Sequence, residues 1–130
     1  MRATQWNRSV LGIAAAVEAV TGLLLIVVPH LLAKLLLGVE VTGVAVVIGR
    51  VAGIALLSLG IGCWFGRQEA TGGWALLAML LYNILVTLYL AFVGLGTEFV
   101  GVLLWPAVVV HAVLTVLLGL AWSKNHRMGA

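Results

Sequence analysis

The stretch VLGIAAAVEAVTGLLLIVV, residues 10–28, decides the fold. Its 19 residues hold one charged side chain, Glu18, and one hydroxyl, Thr21. Wound as a helix at about 1.5 Å per residue, such a run crosses a hydrocarbon core of about 30 Å. A helix that is apolar on every side lies in lipid or inside a large core. Arg2 and Arg8 precede the run as basic residues precede a secretory signal, but the run continues to Val28 and contains Glu18, so it is read as a retained span. Working outward, residues 43–65, 74–93 and 100–122 repeat the pattern, and the four runs are 19 to 23 residues long.

The whole chain agrees with its first span. Of its 130 residues, 64% are hydrophobic and 8% are charged, whereas soluble domains run at about a quarter charged. A domain this small leaves much of its surface exposed, so the apolar excess must face lipid. The expected fold is all-α: an integral membrane four-helix transmembrane bundle forming a single domain over residues 1–130. The net charge of +3 comes from basic residues scattered among the span ends, with no patch and no interleaved aromatics, which argues against nucleic acid. Cys63 is alone, so it forms no internal disulfide and matches no metal spacing.

The breaks between spans are short and punctuated. Pro29-His30 ends the first, residues 66–73 (GRQEATGG) separate the second from the third, and residues 94–98 (GLGTE) separate the third from the fourth. Between Pro29 and Gly43, residues 31–38 (LLAKLLLG) are apolar but too short to span. They predict a short interfacial helix closed by Gly38, with Lys34 reaching to the headgroups.

Orientation follows from charge. The N-tail, the middle loop and the C-tail hold Arg2, Arg8, Arg67, Lys124 and Arg127, against Lys34 on the other side. The positive-inside rule puts both termini in the cytoplasm, as in a bacterial inner membrane. Trp6, Trp64, Trp74 and Trp122 fall on that side as interfacial anchors, and Trp105 lies toward the other.

Each span carries one strongly polar residue: Glu18, Arg50, Asn83 and His111. A carboxyl in mid-span costs at least about 2.5 kcal/mol and needs compensation. Glu18 shares a stripe with Ala14 and Gly22, and Thr21 can join it; Asn83 is followed one turn later by Thr87, and His111 by Thr115. Counting from the non-cytoplasmic span ends puts Glu18, Asn83 and His111 at about 16 to 18 Å and Arg50 at about 10 Å. The expectation is a buried polar cluster in which Glu18 pairs with Arg50 while Asn83 and His111 complete the hydrogen bonds. Gly22, Gly49, Gly53, Gly60 and Gly119 are the small residues expected at helix contacts. The plain alternative is that these polar residues act only as glue between helices.

Catalytic patterns find little support. One His, one Glu and one Asn do not make a zinc site, and His30 and His126 lie near opposite faces, away from His111. The chain has no phosphate loop and no nucleophile beside a base.

Residues 22–29 (GLLLIVVP), then 36–38 (LLG), 49–56 (GRVAGIAL) and 60–62 (GIG), resemble the DoxX-like group of small four-helix membrane proteins. The resemblance covers about the first half of the chain. It implies a four-helix bundle with some relatives associated with quinone-linked or sulfur redox systems. From the minimal loops, the small-residue stripes and the polar cluster, the expected function is that of a small non-enzymatic membrane protein. It would serve as an accessory subunit of a larger complex or as a binder of an apolar ligand such as a quinone or lipid, and a homo-oligomer is also expected. A lone glutamate in the first of four short helices is also similar to the small multidrug resistance transporters. Proton-coupled transport through Glu18 is the alternative, against which stand Arg50 and His111 at depth, where cations would be repelled or Glu18 neutralised.

Overall fold

The structure, a computed structural model, describes residues 2–68 and 73–128. It contains five helices: α1 (Arg2–Val27), α2 (Pro29–Leu37), α3 (Val44–Gly66), α4 (Gly73–Gly96) and α5 (Leu104–Met128). No strand occurs among the described residues. Four of the helices are long and apolar enough to cross a membrane, over Gln5–Val27, Val44–Gly66, Gly73–Gly96 and Leu104–Arg127. The short helix α2 lies between the first two, where residues 31–38 predict it.

Each helix end has a local cause. Pro29 lacks an N–H and has a fixed φ, so it begins α2 rather than continuing α1. Gly38 ends α2 at φ 75°, and its N–H closes onto the Lys34 carbonyl. Gly43 precedes α3 at φ 56°, the other position where the backbone requires a residue without a side chain.

Beyond Gly38 the chain is tied down by charge. Lys34 Nζ donates to Glu40 Oε1 at 2.8 Å, and His30 Nδ1 lies 2.9 Å from the Val41 carbonyl. The hydrogen bond and positive charge of Lys34 hold the Glu40 carboxyl below its ordinary range, and Glu40 reciprocally raises the Lys34 ammonium. The pair is therefore intact across neutral pH. It is released when pH falls through Glu40's lowered value or rises through Lys34's raised one.

The fourth span was expected from residue 100, but α5 begins at Leu104. The preceding backbone is engaged elsewhere. Gly101 N–H donates to the Leu36 carbonyl at 3.0 Å, and Leu103 N–H to the Leu35 carbonyl at 2.8 Å. These are the carbonyls that the end of α2 leaves without helical partners. A side chain at 101 would run into the Leu35 carbonyl, so only glycine permits this clasp.

Among the spans, α1 is central: 39% of an 18-residue stretch of it is buried, against 11% of such a stretch of α3. Helix α1 packs along α3, α4 packs along α5, and α1 also reaches α5, while α3 and α4 touch only sparingly. The described contacts between α3 and α4 sit near their connecting loop, where Cys63 Sγ approaches the Ala75 carbonyl at 3.5 Å. The buried core of Leu11, Ala14, Met79, Leu114 and Leu118 lies between α1, α4 and α5.

Lipid tails are as apolar as leucine, so close van der Waals packing must hold the helices together. Along α1 and α3 that packing is backbone on backbone. A Cβ at Gly22 would lie 2.6 Å from the Gly53 carbonyl oxygen, and one at Gly60 would lie 2.7 Å from that of Ala15. Gly49 makes only an ordinary contact with Pro29, and Gly62 and Gly119 face open space. Substituting Gly60 by Leu should therefore wedge α1 from α3 and lower stability by at least about 2 kcal/mol, whereas Gly62→Leu should be close to neutral. Thermal unfolding of both variants in detergent checks this, and equal losses would refute the seam.

Candidate functional site

Three of the four polar residues meet. Glu18 and Asn83 are fully buried and His111 is 9% exposed, and they come from α1, α4 and α5 respectively. The small-residue stripe of α1 aims Glu18 inward, because Gly22, one turn further on, is held against α3. Asn83 lies one turn from Met79, also fully buried, on the inner face of α4.

The hydrogen bonds define the orientation of the amide and of the imidazole. Asn83 Nδ2 donates to the Met79 carbonyl at 2.9 Å, which turns Asn83 Oδ1 toward His111. His111 Nδ1 lies 2.9 Å from that oxygen. An amide oxygen only accepts, so Nδ1 carries the hydrogen. The same nitrogen is 3.6 Å from Glu18 Oε1, too long for a hydrogen bond but close enough for strong electrostatic coupling. The Tyr82 ring meets His111 edge to face, with centroids 6.1 Å apart and an interplanar angle of 77°. Its hydroxyl faces the Glu18 carboxyl.

Neither oxygen of Glu18 has a partner at ordinary hydrogen-bond geometry, and the Tyr82 hydroxyl interacts with the carboxyl only loosely. Buried polar groups are nearly always satisfied, so an exception at membrane depth needs a physical cause. Glu18 and His111 form a neutral pair when one ionisable proton is shared between them, whichever partner holds it. The arrangement can accept hydrogen bonds and pass a proton between two groups.

The other expected members of the cluster lie elsewhere. Arg50 is exposed on the outer side of α3 and forms no ion pair with Glu18. It follows Gly49 and stands on the flank of the α1–α3 seam away from α4 and α5. Thr87 Oγ1 donates to the Asn83 carbonyl at 2.7 Å and Thr115 Oγ1 to the His111 carbonyl at 2.8 Å, so both bond within their own helices. Thr21 is half-buried and joins none of these bonds.

Tyr82 was missed. Its signal was present in a phenol next to Asn83 in mid-span, where a hydroxyl needs a partner. It falls off the 79-83-87 stripe, which is why periodicity passed over it.

Replacing Asn83 by Leu should leave the His111 Nδ1–H without its acceptor and cost about 1 to 3 kcal/mol. In the double-mutant cycle with His111→Leu, the two losses should overlap by about 1 kcal/mol. Thermal unfolding in detergent reads both, and strict additivity would deny the bond.

Compared with known proteins, the chain matches no family model, no curated sequence and no solved structure.

Proposed function

We propose that this small integral membrane protein is non-enzymatic and binds a membrane-borne amphipathic ligand through Glu18, alone or as the accessory subunit of a larger complex. The observation that carries this reading is the buried Glu18 carboxyl, which has no hydrogen bond of ordinary geometry and only a loose interaction with the Tyr82 hydroxyl. A group that completes it must donate to the carboxylate or accept from the protonated acid, and must arrive through lipid. A quinol hydroxyl or a hydroxylated lipid headgroup meets both conditions. The sparing contact between α3 and α4 supports a lateral route. Tyr82 is seven residues, or two turns, after Ala75, an α4 residue in contact with α3, so helical spacing puts it on that side of α4, and its hydroxyl interacts with Glu18. The resemblance of the first half to the DoxX-like group, with its quinone-linked relatives, points the same way.

Basic residues at one end of the bundle support cytoplasmic termini. Lys124 Nζ lies 5.5 Å over the Trp6 ring, joining the end of α5 to the start of α1, and Arg67 stacks on Trp64 at 3.5 Å on the same face.

Mass spectrometry of gently extracted protein should find a quinol or lipid retained at about one per chain, with retention falling at least about tenfold in Glu18→Gln. Wild-type protein that holds nothing, or a variant that holds as much, would remove the reading.

A second reading, proton-coupled transport, gains from the position of Arg50. That arginine was one of two objections to a cation near Glu18 and lies outside the cluster, while the other, His111, stays beside the carboxyl. Reconstituted vesicles should then show pH-driven flux of an organic cation that Glu18→Gln abolishes. Absence of flux for every cation offered would dispose of it.

A further inference from the structure

At the end of the bundle that carries both termini, a cavity of about 440 Å³ opens to the surface, lined by Gln5, Arg8, Ser9, Arg67 and Gln68. We infer that this cavity is a binding site for a phosphate group, independent of the Glu18 cluster.

The lining is rich in donors and unbalanced in charge. Two guanidinium groups and two amides converge on it, and no carboxylate lines it among the described residues. Neither arginine has an ion-pair partner among the described residues. Two like charges at the edge of a low-dielectric slab repel each other unless an anion lies between them. Guanidinium forks match phosphate oxygens in pairs, which makes arginine the usual choice for that group. The volume lies within the range of small-ligand sites, roughly 300–1,000 Å³, and exceeds what a bare anion fills.

One arginine is held in place before any ligand arrives. Positions 53 and 60 of α3 and position 67, which caps it, recur every seven residues on the α1-facing side. The first two are the glycines against which α1 packs. At the third stands Arg67, whose side chain reaches α1 where the two glycines let the backbone do so. The Arg67 guanidinium lies over Gly12, where a Cβ would come 2.7 Å from its Nη1, and it stacks on Trp64 at 3.5 Å. On α1, Gln5, Arg8, Ser9 and Gly12 follow at i, i+3, i+4 and i+7, so one helical face presents the donors and the gap that receives Arg67. Ser9 Oγ is engaged with the Gln5 carbonyl at 3.1 Å and supports the wall.

The phosphate can belong to an anionic lipid headgroup, which sits at this level of the membrane, or to a free anion. Native mass spectrometry of the purified full-length protein, titrated with short-chain phosphatidylglycerol, tests the site. We expect one tightly bound lipid per chain, with affinity falling about tenfold in Arg8→Gln and in Arg67→Gln. Gly12→Ala leaves the net charge unchanged and displaces only the flexible end of Arg67, so it should fold normally yet weaken binding several-fold. Lys124→Gln removes a charge from the same face outside the cavity and should leave binding within about twofold. Displacement by millimolar inorganic phosphate would assign the site to the free anion and resistance to it would assign it to the lipid; both support a phosphate site. Equal weakening in Lys124→Gln and Arg67→Gln with no effect of Gly12→Ala would reduce the cavity to general surface charge. Unchanged binding in both arginine variants would overturn it as well.

Discussion

The structure depends on one contact, the backbone approach of α1 and α3 at Gly22 and Gly53, repeated at Ala15 and Gly60. In lipid no hydrophobic force draws two apolar helices together, so the interface must be close enough for dispersion to act. That closeness removes rotational freedom from α1. With Gly22 turned to α3, Glu18, one turn earlier, is directed into the space shared with α4 and α5. The position of the carboxyl is thus a consequence of where glycine sits. The same seam, followed toward the termini, ends at Gly12 and Arg67.

The spans were legible in the sequence because membrane insertion is a bulk property. A run such as residues 10–28 reports its own environment through composition alone. Helix α2 was legible because Pro29 and Gly38 each act through a single backbone constraint. Asn83 and His111 were legible with Glu18 because depth is additive along a helix, and equal depth is a precondition for contact. What the sequence did not hold was handedness around the seam. Gly49 and Gly53 say that α3 meets α1 near Arg50, but an arginine one residue from such a stripe can lie on either flank of it. The core of α4 and α5 stands on the other flank, and only the arrangement of all four helices determines that. The threonines failed differently, since a hydroxyl in lipid has a ready acceptor one turn back in its own helix and need not look across.

Charged side chains in this chain are sorted by depth. Lys34, Glu40, Arg8, Arg67 and Lys124 lie at or near the ends of the spans, where water and headgroups are within reach. Arg50 is an intermediate case, six residues into α3 and therefore about 9 Å from its start. A long side chain on an exposed face can cover that distance to the headgroups, which is how it is tolerated without a carboxylate. Glu18 has no such option. Its side chain is short, its surroundings are closed, and the polar groups near it come only from other helices.

That contrast constrains what the cluster can be. Had Arg50 paired with Glu18, the site would be a buried ion pair whose role is satisfied within the protein, and removing either partner would be the main event. Without Arg50, the polar groups around Glu18 include His111, whose Nδ1 hydrogen is already given to Asn83, the Tyr82 phenol and the Cys63 thiol. The imidazole can offer its remaining nitrogen only by turning away from a bond that Asn83 and Met79 hold in place. The carboxyl is therefore left with capacity to accept, in a protein that has arranged donors elsewhere with economy. A structural polar contact would have closed that gap, since Asn83 and His111 close theirs within three ångströms. Glue between helices is sufficient to explain Asn83 and His111. It does not explain Glu18, and the difference between them is the physical reason to look for function at the carboxyl rather than across the whole cluster.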